Sequence, residues 1–126
     1  MPSGESVIGA LIHRSALPPQ GVVAIEVEIA GEPASILVDC DRNPLQAWLN
    51  CCPHQGRRLD YVPGKFLIHK GQLVCAAHGA SFDLSEGLCV GGPCRGEHLT
   101  SVAVTEEEIG SDTWFRFGPP EPKPGV

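Results

Sequence analysis

The sequence predicts an all-β fold, a small antiparallel sandwich or barrel of many short strands. Three observations carry that expectation. Where apolar periodicity is legible it has period two: Val23, Ile25, Val27 and Ile29 alternate with Ala24, Glu26 and Glu28, the pattern of a half-buried strand. Fifteen glycines and twelve prolines among 126 residues interrupt the chain so often that its elements must be short. No window of about eleven residues or more carries a helical apolar stripe.

Taken in order, the first strand is expected over 7–13 and ends on His13-Arg14. The turn signal Leu17-Pro18-Pro19-Gln20-Gly21 separates it from a strand over 23–29. Ala30-Gly31-Glu32-Pro33 then turns the chain into strands over 35–39 and 45–50. Segments 65–69 and 72–75 are joined by Lys70-Gly71, a two-residue hairpin loop that makes them antiparallel partners. A strand over 80–84 runs into Ser85-Glu86-Gly87, and Gly91-Gly92-Pro93 marks a further turn. The last strands are expected over 99–105 and 112–117, with Glu106-Glu107-Glu108 between them as a solvated turn. Residues 1–117 are read as one domain, with its site over about 49–95. Residues 118–126 hold four prolines in nine positions and are expected to form an extended, disordered tail.

Composition narrows the functional classes. A chain that is 42% apolar and 19% charged is globular rather than disordered. A net charge of −6 argues against a general nucleic-acid binder, which needs a basic face to neutralise phosphate. No apolar run approaches the ~20 residues that cross a bilayer, so no membrane anchor is expected. The short apolar stretch at 7–12 lacks a basic leader, and a cytoplasmic location is expected. In a reducing compartment six cysteines point to metal binding or redox chemistry rather than a disulfide framework.

Two ligand-like pairs stand out, Cys52-Pro53-His54-Gln55-Gly56 and Cys75-Ala76-Ala77-His78-Gly79. Each follows a predicted strand, so both can occupy loops at one end of a sheet. Two thiolates and two imidazoles suit zinc, and a structural zinc module serving as an interaction domain is one reading. Zinc sites, however, usually pair like ligands two to four residues apart. Mixed pairs suit a 2Fe-2S cluster with two thiolates on one iron and two neutral imidazoles on the other. Such a unit is neutral when oxidised and carries one negative charge when reduced, so it takes up an electron more readily than a four-thiolate cluster.

The pattern C-P-H-x-G followed by C-x-x-H-G-A-x-F-D, together with Gly87-Leu88-Cys89-Val90-Gly91-Gly92-Pro93, resembles the Rieske family. The resemblance covers about 49–95. It implies one 2Fe-2S cluster per chain, with Cys52 and Cys75 on the inner iron and His54 and His78 on the outer iron, ring edges toward solvent. It also implies that Gly79, Ala80, Phe82, Gly92 and Pro93 surround the cluster, the last two in a Gly-Pro loop that covers it. Rieske proteins of quinol-oxidising complexes add a cysteine to each ligand loop, but 55–57 and 76–77 contain none. Those proteins also carry a serine and a tyrosine that donate to the cluster, where this chain has Ala80 and Phe82. Fewer donors leave the reduced cluster less stabilised, so a soluble, low-potential ferredoxin is expected.

What the resemblance then implies is an electron carrier rather than an enzyme, passing one electron between a reductase and an acceptor such as an oxygenase. Only about thirty residues follow Arg95, with one histidine, His98, too few for the mononuclear iron domain of an oxygenase subunit. A small Rieske subunit of a larger, nitrite-reductase-like assembly is the alternative. Residues 52–95 carry five basic and three acidic side chains, a net +2 that leaves −8 on the remainder. Arg57 and Arg58 are therefore candidates for docking a redox partner, against the plainer reading that they pair with nearby acids.

The remaining candidates have structural readings. Cys51 is the alternative thiol beside Cys52, and the C-P-H order favours the latter. Cys40 is expected as a small buried apolar residue within a strand. Cys89 and Cys94 flank the Gly-Gly-Pro loop, where a disulfide would stiffen it, although a reducing setting favours free thiols. His13, His69 and His98 lack a motif, and Trp48 and Trp114 are read as packing residues.

Overall fold

Hairpins with two-residue turns organise the chain. The structure, a computed structural model, describes residues 9–51, 59–60, 66–75, 79–92 and 95–120. Strands β2 (Val22–Ile29) and β3 (Glu32–Asp39) pair antiparallel with Ile29 opposite Glu32. Ala30 and Gly31 between them both have positive φ, 54° and 84°, as the hairpin turn that matches strand twist requires. The same device joins β5 (Leu67–His69) to β6 (Gln72–Val74): Lys70 and Gly71 have φ of 52° and 76°, and the expected antiparallel pairing holds.

Among the described residues, ten strands form three antiparallel sheets. The first places β1 (Ala10–His13) beside β10 (Asp112–Pro120) and β10 beside β9 (Val102–Ile109); the second is β2, β3 and β4 (Gln46–Leu49). A third sheet orders β5, β6, β7 (Ser81–Asp83) and β8 (Cys89–Gly91). The chain is thus almost entirely β, with one 3-10 turn at Arg14–Ala16 among the described residues.

Two apolar cores lie on opposite sides of β3 and β4, because successive side chains of a strand face opposite ways. Ile36, Val38 and Ala47 join Ile29, Val102, Phe115 and Phe117 in one core. Leu37 and Trp48, cross-strand partners in the register, join Leu59, Leu73, Cys75, Ala80, Phe82, Cys89 and Leu99 in the other. The second core fastens the four-stranded sheet to the body. The return segment completes the attachment: Leu99 N–H donates to Gly87 O at 2.8 Å, and Leu49 N–H to Thr100 O at 2.8 Å. Arg42 Nη1 donates to Leu84 O at 3.0 Å and ties the turn after β7 to the body.

Several expectations change. The strand expected over 99–105 lies at Val102–Ile109, so Glu106, Glu107 and Glu108 belong to β9 and not to a turn. They tolerate a strand because this stretch of β9 faces solvent and Arg116 on β10 binds Glu107, whose carboxyl it holds below the usual range. The strand of 112–117 continues to Pro120 through a register shift, with Pro120 opposite Val102; the expected tail is ordered that far, and 121–126 lie outside the described residues. Cys40 follows β3 in a turn and is only half-buried. Cys89–Gly91, which lies outside every expected strand and runs into the Gly91-Gly92-Pro93 turn signal, is strand β8, since its pairing with β7 overrides Gly91. Trp48 is fully buried, whereas Trp114 is half-buried with its ring edge-on to His13 at 4.8 Å.

Candidate metal centre

Of the four predicted ligands, Cys75 falls among the described residues; Cys52, His54 and His78 lie outside them, as do Pro93, Arg57 and Arg58. Cys75 directly follows β6 and is wholly buried. Its N–H donates to Ala80 O at 2.7 Å and its carbonyl accepts Gly79 N–H at 2.7 Å. These two bonds hold Cys75 against Gly79 and Ala80, with Gly79 at φ 72°. Ala80 and Phe82 are fully buried beside Cys75 in the second core, and Phe82 sits between Leu73 and Cys89 in the strand register. Neither side chain carries a donor.

A third segment presses on Gly79 and Ala80. Gly92 has φ 92°, and a Cβ added there would stand 2.8 Å from Ala80 Cα and 3.3 Å from Gly79 O. Backbone therefore lies on backbone, and only glycine allows it. The segment is closed on itself: Gly96 N–H donates to Cys89 O at 3.0 Å, and Arg95 donates from Nε and Nη2 to Val90 O at 3.2 and 3.0 Å. The Cys89 thiol is buried and donates to Gly91 O at 3.1 Å. Gly79, Ala80 and Gly92 thus lie together beside Cys75.

A contact that no sequence motif marks joins the residues on either side of 51–58. Asn50 and Asp60, both buried, join across it: Asn50 Nδ2 donates to Asp60 Oδ1 at 3.2 Å, and Asn50 Oδ1 accepts Leu59 N–H at 2.9 Å. Leu59 itself fills the second core. A lone Asn at the end of an expected strand and a lone Asp ten residues on offer no pattern in sequence.

The shifted titrations lie away from these turns. Burial pushes the Asp39 carboxyl up, against the opposing pull of the Asp41 N–H it accepts. At the far end of β7 the backbone and hydroxyl of Ser85 hold the exposed Asp83 carboxyl down. No three metal-binding side chains converge among the described residues, three of the four predicted ligands being outside them. What the described part supplies is a buried thiol at Cys75, an apolar floor of Ala80 and Phe82, and a glycine segment packed against Gly79 and Ala80. A two-thiolate, two-imidazole iron–sulfur group fits that setting better than an open catalytic metal site does.

The family model for the Rieske [2Fe-2S] domain matches residues 9–106. The chain belongs to the Rieske [2Fe-2S] domain family. A Rieske domain carries a 2Fe-2S cluster, and its function is electron transfer. Among solved structures, this Rieske domain is similar to the ferredoxin of carbazole 1,9a-dioxygenase from Nocardioides aromaticivorans IC177, with TM-score 0.60 and 21% identity over 88% of this chain and 97% of that one. It is also similar to the terminal oxygenase of carbazole 1,9a-dioxygenase from Novosphingobium sp. KA1, with TM-score 0.61 and 19% identity over 89% of this chain but 30% of the oxygenase chain. A 2-oxoquinoline 8-monooxygenase component matches at 25% identity and TM-score 0.59, over 84% of this chain and 24% of its own. Comparison with curated proteins found no match.

Proposed function

We propose that the protein is a one-electron carrier of ferredoxin type, receiving an electron from a reductase and delivering it to an acceptor such as an oxygenase, without bond chemistry of its own. The observation that carries this is the pair of mixed ligand motifs, Cys52/His54 and Cys75/His78, with the buried Cys75 turn held under Gly92. The extent of the ferredoxin match supports it, since 97% of that chain is covered against 30% of the oxygenase. One similar structure is described as a complex of reduced oxygenase and oxidised ferredoxin, which makes an oxygenase the natural class of acceptor to try.

In this reading Cys52 and Cys75 hold the inner iron and His54 and His78 the outer one; 1–117 form the single domain. When bound, the cluster takes up and releases one electron. The protein's part is to exclude water from the cysteine side through Ala80, Phe82 and Leu59, and to withhold hydroxyl donors at 80 and 82. The potential then falls toward the low end of the ~−150 to +300 mV Rieske span. Arg57 and Arg58 form part of the docking face. Among the described residues no helix is long and apolar enough to cross a membrane; we place the carrier in the cytoplasm, where thiols such as Cys89 stay reduced.

The test is direct. The purified protein should be red-brown, EPR-silent as oxidised and EPR-active after dithionite, and should pass electrons from a flavin reductase to a Rieske oxygenase. A colourless zinc protein, or cluster retention in the Cys75→Ser variant, would refute the reading.

A further inference from the structure

Asn50 stands two residues before Cys52 and is 4% exposed. Its side chain is bonded on every side. One Nδ2 proton goes to Asp60 Oδ1 at 3.2 Å, the other to Ser35 Oγ at 3.2 Å, and Oδ1 accepts Leu59 N–H at 2.9 Å. Both donors and the acceptor of the amide are in use. The Asn50 backbone N–H also donates to Ser35 O at 2.9 Å, and Ser35 Oγ donates to Glu26 Oε2 at 2.8 Å. A chain of donors therefore runs from Asp60 and Leu59 through one amide to the middle of β3 and on to β2.

Residues 50 and 59 bound the segment that bears Cys52 and His54. We propose that Asn50, with Asp60 as its partner, is the positioning residue of this segment, fixing both its ends against β3 and so setting how Cys52 and His54 present themselves to the cluster. The inference rests on the assignment of those two residues as ligands. Asparagine is suited to the task because its planar amide donates twice and accepts once from a short, stiff side chain. Aspartate in its place cannot donate, and leucine, of similar shape, can do neither. Joining the ends of a loop through a buried side chain removes conformational freedom that the loop would otherwise keep.

The experiment compares Asn50→Leu, Asp60→Leu and the conservative Asp60→Asn, which keeps an acceptor oxygen, with Ile36→Val in the other core as a control for general destabilisation. Each is purified with its cluster and followed by the reduced EPR spectrum and by the rate of iron transfer to a ferrous chelator. The expected result is iron loss faster by on the order of tenfold in Asn50→Leu and Asp60→Leu, the scale of partners that orient metal ligands, with shifted or broadened g-values. Asp60→Asn and Ile36→Val should stay within about twofold of wild type with its line shape. Should Asn50→Leu not fold, Asp60→Leu decides. Wild-type line shape and chelation rate in the leucine variants overturn the proposal. Cluster spectra unchanged in Cys52→Ser and His54→Leu overturn instead the ligand assignment beneath it.

Discussion

At Gly92 an added methyl group has no free volume: it would enter the Ala80 backbone at 2.8 Å, from a backbone with φ 92°. Gly92→Ala should cost about 1–3 kcal/mol, the usual scale of enforced backbone strain, read as a lowered midpoint in denaturant unfolding. The side chains at 80 and 82 make a second prediction. Ala80→Ser and Phe82→Tyr each place a hydroxyl beside the Cys75 turn, and both should raise the reduction potential in a redox titration because donors stabilise the more negative reduced cluster. Unchanged or lowered potentials would remove donor loss as the cause of a low midpoint. A third concerns Asp39, whose carboxyl burial holds above its ordinary value. The native state then binds that proton more tightly than the unfolded state does. Stability is lost as pH rises from the ordinary carboxylate pKa of about 3.9 through the raised one, and the loss persists at neutral pH. Asp39→Asn, which keeps an acceptor for Asp41 N–H, should therefore melt higher than wild type at pH 7, with the difference vanishing below about pH 4.

At the scale of elements, β3 and β4 act as a partition whose two faces serve different cores. Leu37 and Ile36 are neighbours in sequence, yet they report on different halves. Leu37→Ala should cost about 2–5 kcal/mol and loosen the four-stranded sheet, whereas Ile36→Val should cost about 0.5–1.5 kcal/mol and leave the cluster spectrum unchanged; urea unfolding and EPR together check both. Much of this layer was legible in sequence. Period-two alternation located β2, and Lys70-Gly71 announced its hairpin because few residue pairs accept two positive φ angles. The glutamates of β9 misled because charge normally marks turns, and only the partner strand reveals Arg116 opposite them. Strand β8 was hidden by Gly91 and the Gly92-Pro93 that follows, since the bonds that make it a strand come from β7. The 2Fe-2S cofactor was legible in the mixed Cys-His motifs because metal chemistry restricts residue type and spacing together; the Asn50–Asp60 link was not, because a hydrogen bond between side chains ten residues apart leaves no periodic trace.

Across the whole molecule, charge is uneven: 52–95 carry +2 and the rest −8. If Arg57 and Arg58 serve docking, their effect should be measurable without the natural partner. Reversing both to glutamate should slow oxidation of the reduced protein by ferricyanide, an anion, by on the order of tenfold at low ionic strength. The difference should fade toward 1 M salt, where the screening length falls to about 3 Å. Stopped-flow rates that ignore both the reversal and the salt would show that these arginines face elsewhere. The partition formed by β3 also governs how the molecule opens. Its residues 36–38 are fully buried, it is paired on both edges, and it lends side chains to both cores. Neither half can open by itself without exposing a face of this strand. Its amide hydrogens should be the last to exchange with deuterium, and only through complete unfolding.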